Sequence, residues 1–215
     1  MRQDGTAGAA PELIRLTCAE VDGPAVHPYL SSTFSMSPAF KEWQVIVEAL
    51  LAGEQLLILR KGGIAEGRGG FAPNRAARFW LFPTHFHAQA EKTKPSAARF
   101  IDPTPAQDAT VTVRAFADVV HHAFLADWES VARLDPFHFW TADTLRERFD
   151  WAKPPGLHAF VVRIHRLHAP ITLPLTREMG GCKSWIELPG AFDAHPATPV
   201  LDDTTFATRA ADLGL

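Results

Sequence analysis

Helix-like and strand-like stretches follow one another in this chain without regular alternation, and that order limits the fold more than any other feature. Phe40, Trp43, Val47 and Leu50 recur at helical spacing, widened by Ile46 and Leu51, with Lys41, Gln44 and Glu48 on the opposite face. Ser37 ahead of Pro38 reads as a helix start and Gly53 as its stop, which predicts a helix from about 38 to 52. Residues 55–60 then form a continuous apolar run of strand length, buried on both sides. Further strands are expected at 78–83, at 110–118, where apolar and polar residues alternate, at 158–167 and at 183–188, with a short edge strand at 13–21. Short helices are expected at 127–134 and at about 142–151, the second capped by Thr141 and stopped before Pro154. This order argues against a doubly wound sheet or a barrel of βα units. It predicts an α+β fold, a mixed or antiparallel sheet with helices packed on one side. Residues 13–188 read as a single domain, 1–12 as a loose tail, and 189–215 as a C-terminal extension ending in a short helix. The stretch 93–109, rich in Pro, Ala and Asp, is where that domain would divide into two lobes, although each half is small for a core of its own.

Composition narrows the class. Hydrophobic residues are 47% and charged residues 21% of the chain, values of a globular protein. The formal net charge of −3 lacks the basic excess with which a protein coats nucleic acid non-specifically, and leaves room only for a local basic patch. Cys18 and Cys182 are too few and too far apart for a disulfide framework. No apolar run approaches the roughly 18 residues of a membrane span, and the first residues lack the apolar region of a secretory signal, so the expectation is a cytoplasmic protein.

The segment from residue 60 to 89 stands out. Between 60 and 78 it carries Arg60, Lys61, Arg68, Arg75 and Arg78 against the single acid Glu66, together with Gly62, Gly63, Gly67, Gly69 and Gly70. Glycine lets the backbone turn its N–H groups toward one point, and guanidinium groups add two-pronged contacts to phosphate or carboxylate. Arg60, Lys61, Gly62, Gly63 and Arg78 are therefore the candidate anion-binding residues. The duller alternative is a solvated loop whose arginines keep a strand connection soluble. The segment is neither a Walker loop nor a dinucleotide fingerprint. Beyond it, His85 and His87 would share one face of a strand, where two imidazoles with Glu66 or Gln89 could hold a divalent metal; a pair of half-exposed histidines is the plainer reading, and no metal site is assigned. In residues 180–185, Cys182 follows two glycines and precedes Lys183, an arrangement that can activate a thiol, or merely bury one at a tight turn. The nucleophile elbow of serine hydrolases is absent, and so is the strand pattern of an acid followed by acid-x-lysine that a restriction-type nuclease would show.

Phe40 to Trp43, Leu59 to Ile64 with Glu66, Phe82 to Thr84 with His87, Phe139 to Thr141, Arg148 with Trp151, Val161 to Leu167 and Gly180 to Trp185 together resemble a bacterial domain of unknown function, family 1802, over roughly residues 38–188. One departure is that Ala88 separates His87 from Gln89, where the resemblance leads one to expect the two side by side. The resemblance implies no activity, substrate or cofactor; it directs attention to residues 60–87 and 180–185. A fainter similarity, limited to the first helix and strand, is to small barrel-like RNA-binding domains of the pseudouridine-synthase-associated type.

Three functions compete on these residues. The first is a pocket, enzymatic or not, for a small phosphorylated or carboxylated molecule, with Arg60, Lys61 and Arg78 on the anion and Glu48, Glu66 or His87 handling protons. The second is a nucleic-acid-binding module in which the same cations meet phosphates and Trp80, Phe82 or Phe86 stack on bases. The third is a partner-docking domain without chemistry of its own.

Overall fold

The structure is a computed structural model that describes residues 35–61, 77–103, 109–151 and 153–215, all within one compact unit. The expected edge strand at 13–21 and the glycine-rich run 62–76 lie outside the described residues.

The fold is α+β. Its mixed sheet has seven strands: β1 (Met36–Trp43), β2 (Leu57–Arg60), β3 (Arg78–Thr84), β4 (Thr110–Leu125), β5 (Leu157–Pro174), β6 (Trp185–Pro189) and β7 (Ala197–Pro199). The spatial order is β2-β5-β4-β3-β1-β6, with β7 on β5; β1 and β3 run parallel and the other neighbours antiparallel. Helices α1 (Gln44–Leu51), α3 (Trp128–Ala132), α4 (Ala142–Asp150) and α5 (Asp203–Asp212), and a single turn α2 (Gln89–Lys92), complete it. Thr141 caps α4 as expected, its hydroxyl accepting from the Thr144 N–H at 3.2 Å.

The helix expected from residue 38 begins only at Gln44. Residues 36–43 are a strand because they lie between β3 and β6: Ala39 and Phe40 face Trp80 and Leu81 on one side, Ile186 and Trp185 on the other. Pro38 falls outside the β3 register, where its missing N–H costs no rung. Phe40, Val47 and Leu50 still bury together with Trp43 packed against them, so the apolar stripe does the same work in a strand followed by a two-turn helix.

The sheet curls. In a flat sheet of this order β1 and β2 would stand about 19 Å apart, four strand spacings. Instead Arg60 of β2 reaches Glu42 of β1 at 3.4 Å, and Phe40 of β1 lies 6.5 Å from Phe160 of β5. The curled interior holds the main core, where Phe40, Leu57, Leu59 and Phe79 meet α1, α3 (Val131), α4 (Leu145, Phe149) and α5 (Phe206). The outer face carries a smaller cluster around Ala39, Trp80, Phe82, Phe116 and Ile186, with no α-helical side chain in it. Helices therefore cover one side, as the sequence predicts. Residues 189–215 are more than an appendage, since Phe206 and Leu213 are buried in the main core and β7 extends the sheet. Residues Pro95–Phe100, inside the expected lobe break, form a 3-10 turn tied to α1: the Gln44 side-chain amide donates to the Phe100 carbonyl at 3.0 Å and accepts from the Asp102 N–H at 3.2 Å. No helix among the described residues is long and apolar enough to cross a membrane.

Candidate functional site

The cations of the basic segment that the structure describes do not gather. Arg60 lies over the Phe40 ring, 5.5 Å from its centroid, and pairs with the fully buried Glu42. Arg78 lies over Phe116 on the outer face and forks onto Asp118 at 2.6 and 3.0 Å, with Asp193 at 3.8 Å. The hydrogen bond to Asp118 raises its pKa. Arg60 and Arg78 thus belong to opposite faces of the sheet. Lys61 donates to the carbonyls of Pro154 at 2.7 Å and Phe149 at 3.3 Å, fastening β2 to the end of α4. The expected convergence of Arg60, Lys61 and Arg78 is corrected by acids supplied from other strands, Glu42 and Asp118, which the local sequence does not reveal. Gly62, Gly63 and Glu66 lie outside the described residues.

The other candidates separate as well. His87 is exposed and packs on Phe86, ring centroids 4.6 Å apart. Gln89 is buried, its side-chain oxygen accepting from the Val45 N–H at 3.0 Å, so it is no metal ligand. Among the described residues no three metal-ligating side chains come together. Trp80 and Phe82 are 1% and 3% exposed and cannot stack on a base; of the three proposed platforms only Phe86, at 37%, is accessible. Cys182 is exposed at the turn entering β6.

Glu48 and His85, by contrast, line one cleft of about 820 Å³ at the end of the sheet. Each wall follows from local structure. The polar face of α1 presents Gln44 and Glu48, the 3-10 turn presents Arg99, β4 presents Arg114, and the end of β3 presents Thr84 and then His85. Arg114 pairs with Glu48; burial lowers the Arg114 pKa, with Arg166 adding to the effect. Arg99 pairs with Glu54 just outside and stacks on Phe100 at 4.5 Å. Thr84 donates to the Glu42 carbonyl at 3.0 Å, which holds the end of β3 against β1.

Lys41 closes the floor. Strand alternation sends Phe40 and Glu42 inward and Lys41 the other way, into the cleft, where it is 8% exposed. Its side-chain nitrogen donates to the carbonyls of Met179 at 2.9 Å and Gly181 at 2.8 Å, and among the described residues no carboxylate pairs with it. Burial lowers its pKa, with Cys182 pulling the other way and Arg60 and Lys183 adding to the fall.

Behind β1 a second polar group is sealed in the core. Arg148 of α4 lies 3.7 Å from the Trp140 ring centroid and 5.3 Å from that of Trp43. Burial pushes its pKa down to about 10, with the Glu42 carboxylate opposing. Glu42 accepts from the Trp43 N–H at 2.8 Å and from Arg60. This group anchors the strand that carries Lys41.

Lys41, Arg99 and Arg114 carry no functional motif of their own in the sequence. The signal for the first was present, because Lys41, Gln44 and Glu48 form one polar set, and all three line the cleft.

The sequence matches the family described as Domain of unknown function (DUF1802) over residues 39–212, and the chain belongs to that family. No curated protein matches it. Among solved structures, the chain is similar to ASCH from Zymomonas mobilis at 16% identity, covering 70% of this chain and 86% of that one, with a TM-score of 0.41. One single-residue mutant of that protein matches at 18% identity over 66% of this chain and 76% of its own, with a TM-score of 0.37. A second matches at 16% identity over 70% and 87%, with a TM-score of 0.41.

Proposed function

We propose that the cleft between α1, β4 and the 3-10 turn binds a small molecule bearing a carboxylate or phosphate. The observation that carries this reading is that Arg99, Arg114 and the buried Lys41 line a single concavity of about 820 Å³, a size suited to a small-molecule ligand. Guanidinium groups grip such anions in two-pronged fashion, and partial burial strengthens the contact. An entering anion competes with Glu48 for Arg114. Glu48 is then released beside the ligand as a candidate proton acceptor. The anion class is the one the sequence suggests, but the residues proposed to hold it are Arg99 and Arg114, which line the cleft and would exchange Glu54 and Glu48 for the ligand, whereas Arg60 and Arg78 pair with Glu42 and Asp118 outside it.

Thermal unfolding with inorganic phosphate, citrate and glycolate tests this. A ligand at 100 times its Kd stabilises the folded state by about 2.7 kcal/mol, a readily measured shift. The shift is expected to disappear in the double variant Arg99→Gln/Arg114→Gln and to persist in Arg78→Gln. A shift that survives the double variant, or that Arg78→Gln removes, refutes the reading.

A further inference from the structure

We infer that Lys41 is a nucleophilic amine that forms an imine with an aldehyde or keto group on the anion bound in the cleft. This inference rests on the cleft reading above and adds to it the chemistry of the ligand.

The argument starts from hydrogen-bond accounting at one nitrogen. A protonated lysine offers three N–H donors, a neutral one offers two and a lone pair. The side chain of Lys41 finds two acceptors, the main-chain carbonyls of Met179 and Gly181 at 2.9 and 2.8 Å. Among the described residues it has no carboxylate partner, although it is almost wholly buried. Two acceptors satisfy both N–H groups of the neutral amine. Among the described residues they leave the third position on the ammonium without an acceptor, which is costly for a desolvated charge. With both hydrogens turned onto the 179–181 turn, the lone pair takes the remaining tetrahedral position. Lys41 and Met179 both line the cleft in which the ligand is proposed to lie, which puts the amine in its wall.

Burial acts in the same direction. It is the first cause of the lowered Lys41 pKa, so at a given pH more of this side chain is free amine than at an ordinary surface lysine. Two of the three neighbouring groups act in the same sense. Arg60 and Lys183 repel its proton and Cys182 alone among the named groups favours it. Strand β1 holds the residue in place: the neighbouring Glu42 is sealed in the core, and Phe40 lies edge-on to Trp185 at 4.9 Å.

The step balances without any further reactant. The Lys41 lone pair attacks the carbonyl carbon and a C–N bond forms. One proton passes from nitrogen to the former carbonyl oxygen to give a carbinolamine; the second N–H proton then follows, the C–O bond breaks, the oxygen leaves as water, and a neutral C=N bond remains. Arg99 and Arg114 hold the carboxylate or phosphate of the same molecule. Thr84 and His85 line the same cleft. Ligands of this class are 2-oxo acids, aldehyde acids and phosphorylated aldehydes.

The test is reductive trapping on the full chain. Glyoxylate, pyruvate and pyridoxal 5′-phosphate are the probes, each reduced with borohydride, with the modified residue located by peptide mapping. At least one probe is expected to modify Lys41 to near completion before the exposed Lys153 and Lys183 react. Its labelling is expected to persist to lower pH than theirs. Excess inorganic phosphate should suppress the adduct at Lys41 and leave Lys183 unaffected, and Lys41→Arg should abolish it. The phosphate competition uses wild-type protein, so the test stands even where the buried substitution prevents folding. Labelling that follows exposure, with Lys183 and Lys153 ahead of Lys41 for all three probes, overturns the inference. If glycolate, which has no carbonyl to attack, binds in the thermal assay while no probe labels Lys41, the imine fails and the anion cleft survives. If neither glycolate nor phosphate binds and no adduct forms, both fail.

Discussion

Replacing Glu42 by leucine tests how β1 is held. The carboxylate is fully buried and serves three groups: the Trp43 N–H at 2.8 Å, Arg60 at 3.4 Å, and the enclosed guanidinium of Arg148. Leucine fills a similar volume, so the loss is electrostatic and not a matter of packing. Removing the acid from a buried pair costs about 3–5 kcal/mol, because the remaining charge has nowhere to be solvated. The orphaned Trp43 N–H belongs within that figure. Taking about 4 kcal/mol and a urea dependence of about 2 kcal/mol per molar, the unfolding midpoint should fall by about 2 M. Adding 1 M NaCl should change the difference little, since screening acts on exposed charges. The double variant Glu42→Leu/Arg148→Met should recover about 2 kcal/mol, because it deletes one of the stranded cations along with its partner. By contrast, Asp150→Asn breaks the half-exposed Arg146–Asp150 pair and should cost less than about 0.5 kcal/mol. A Glu42→Leu loss below about 1 kcal/mol, or strict additivity in the double variant, would refute the claim that this carboxylate is the hub of the buried charge group.

Two further outcomes follow from named positions. Burial, reinforced by Lys94, pushes the His138 pKa down to about 4, below its unfolded value, so the folded state holds this ring neutral. The associated stability is complete above about pH 6.5 and is lost as pH falls toward 4, with a limit of about 3 kcal/mol; His138→Leu should flatten the fall of Tm with pH over that window. Gly156 has φ +140°, and a Cβ there would stand 2.4 Å from the Phe124 ring and 2.8 Å from the Leu125 carbonyl. Gly156→Ala should therefore lower stability by about 2–3 kcal/mol in urea unfolding, and a neutral result would mean that the turn before β5 relaxes freely.

Much of the fold is readable because its strands carry their own periodicity. The runs at 55–60, 78–83, 110–118, 158–167 and 183–188 all became strands, and Thr141 marked its helix by cap chemistry alone. Residues 36–43 could not be read this way. Phe40 and Trp43 satisfy a helical stripe and a strand equally well, and the choice is made by partners some 150 residues away at 185–189. The same reach hid the fate of the basic segment. Arg60 and Arg78 look unpaired from 60 to 78 because Glu42 and Asp118 meet them only when the sheet closes. Lys41 was visible as one member of a polar set with Gln44 and Glu48. Nothing nearby shows that its hydrogens would be taken by the turn at 179–181, 138 and 140 residues further along.

The place of β1 in the strand order also bears on how the chain is made. Its two neighbours are β3, some 40 residues later, and β6, which begins at Trp185. As the chain leaves the ribosome, β4 and β5 can zip locally into their long hairpin, while Met36–Trp43 waits with an open edge until residue 189 has emerged. Until then the nascent protein exposes one edge of an apolar strand to solvent, a segment suited to shielding by a chaperone, and the cleft beside it waits for Leu175 and Met179.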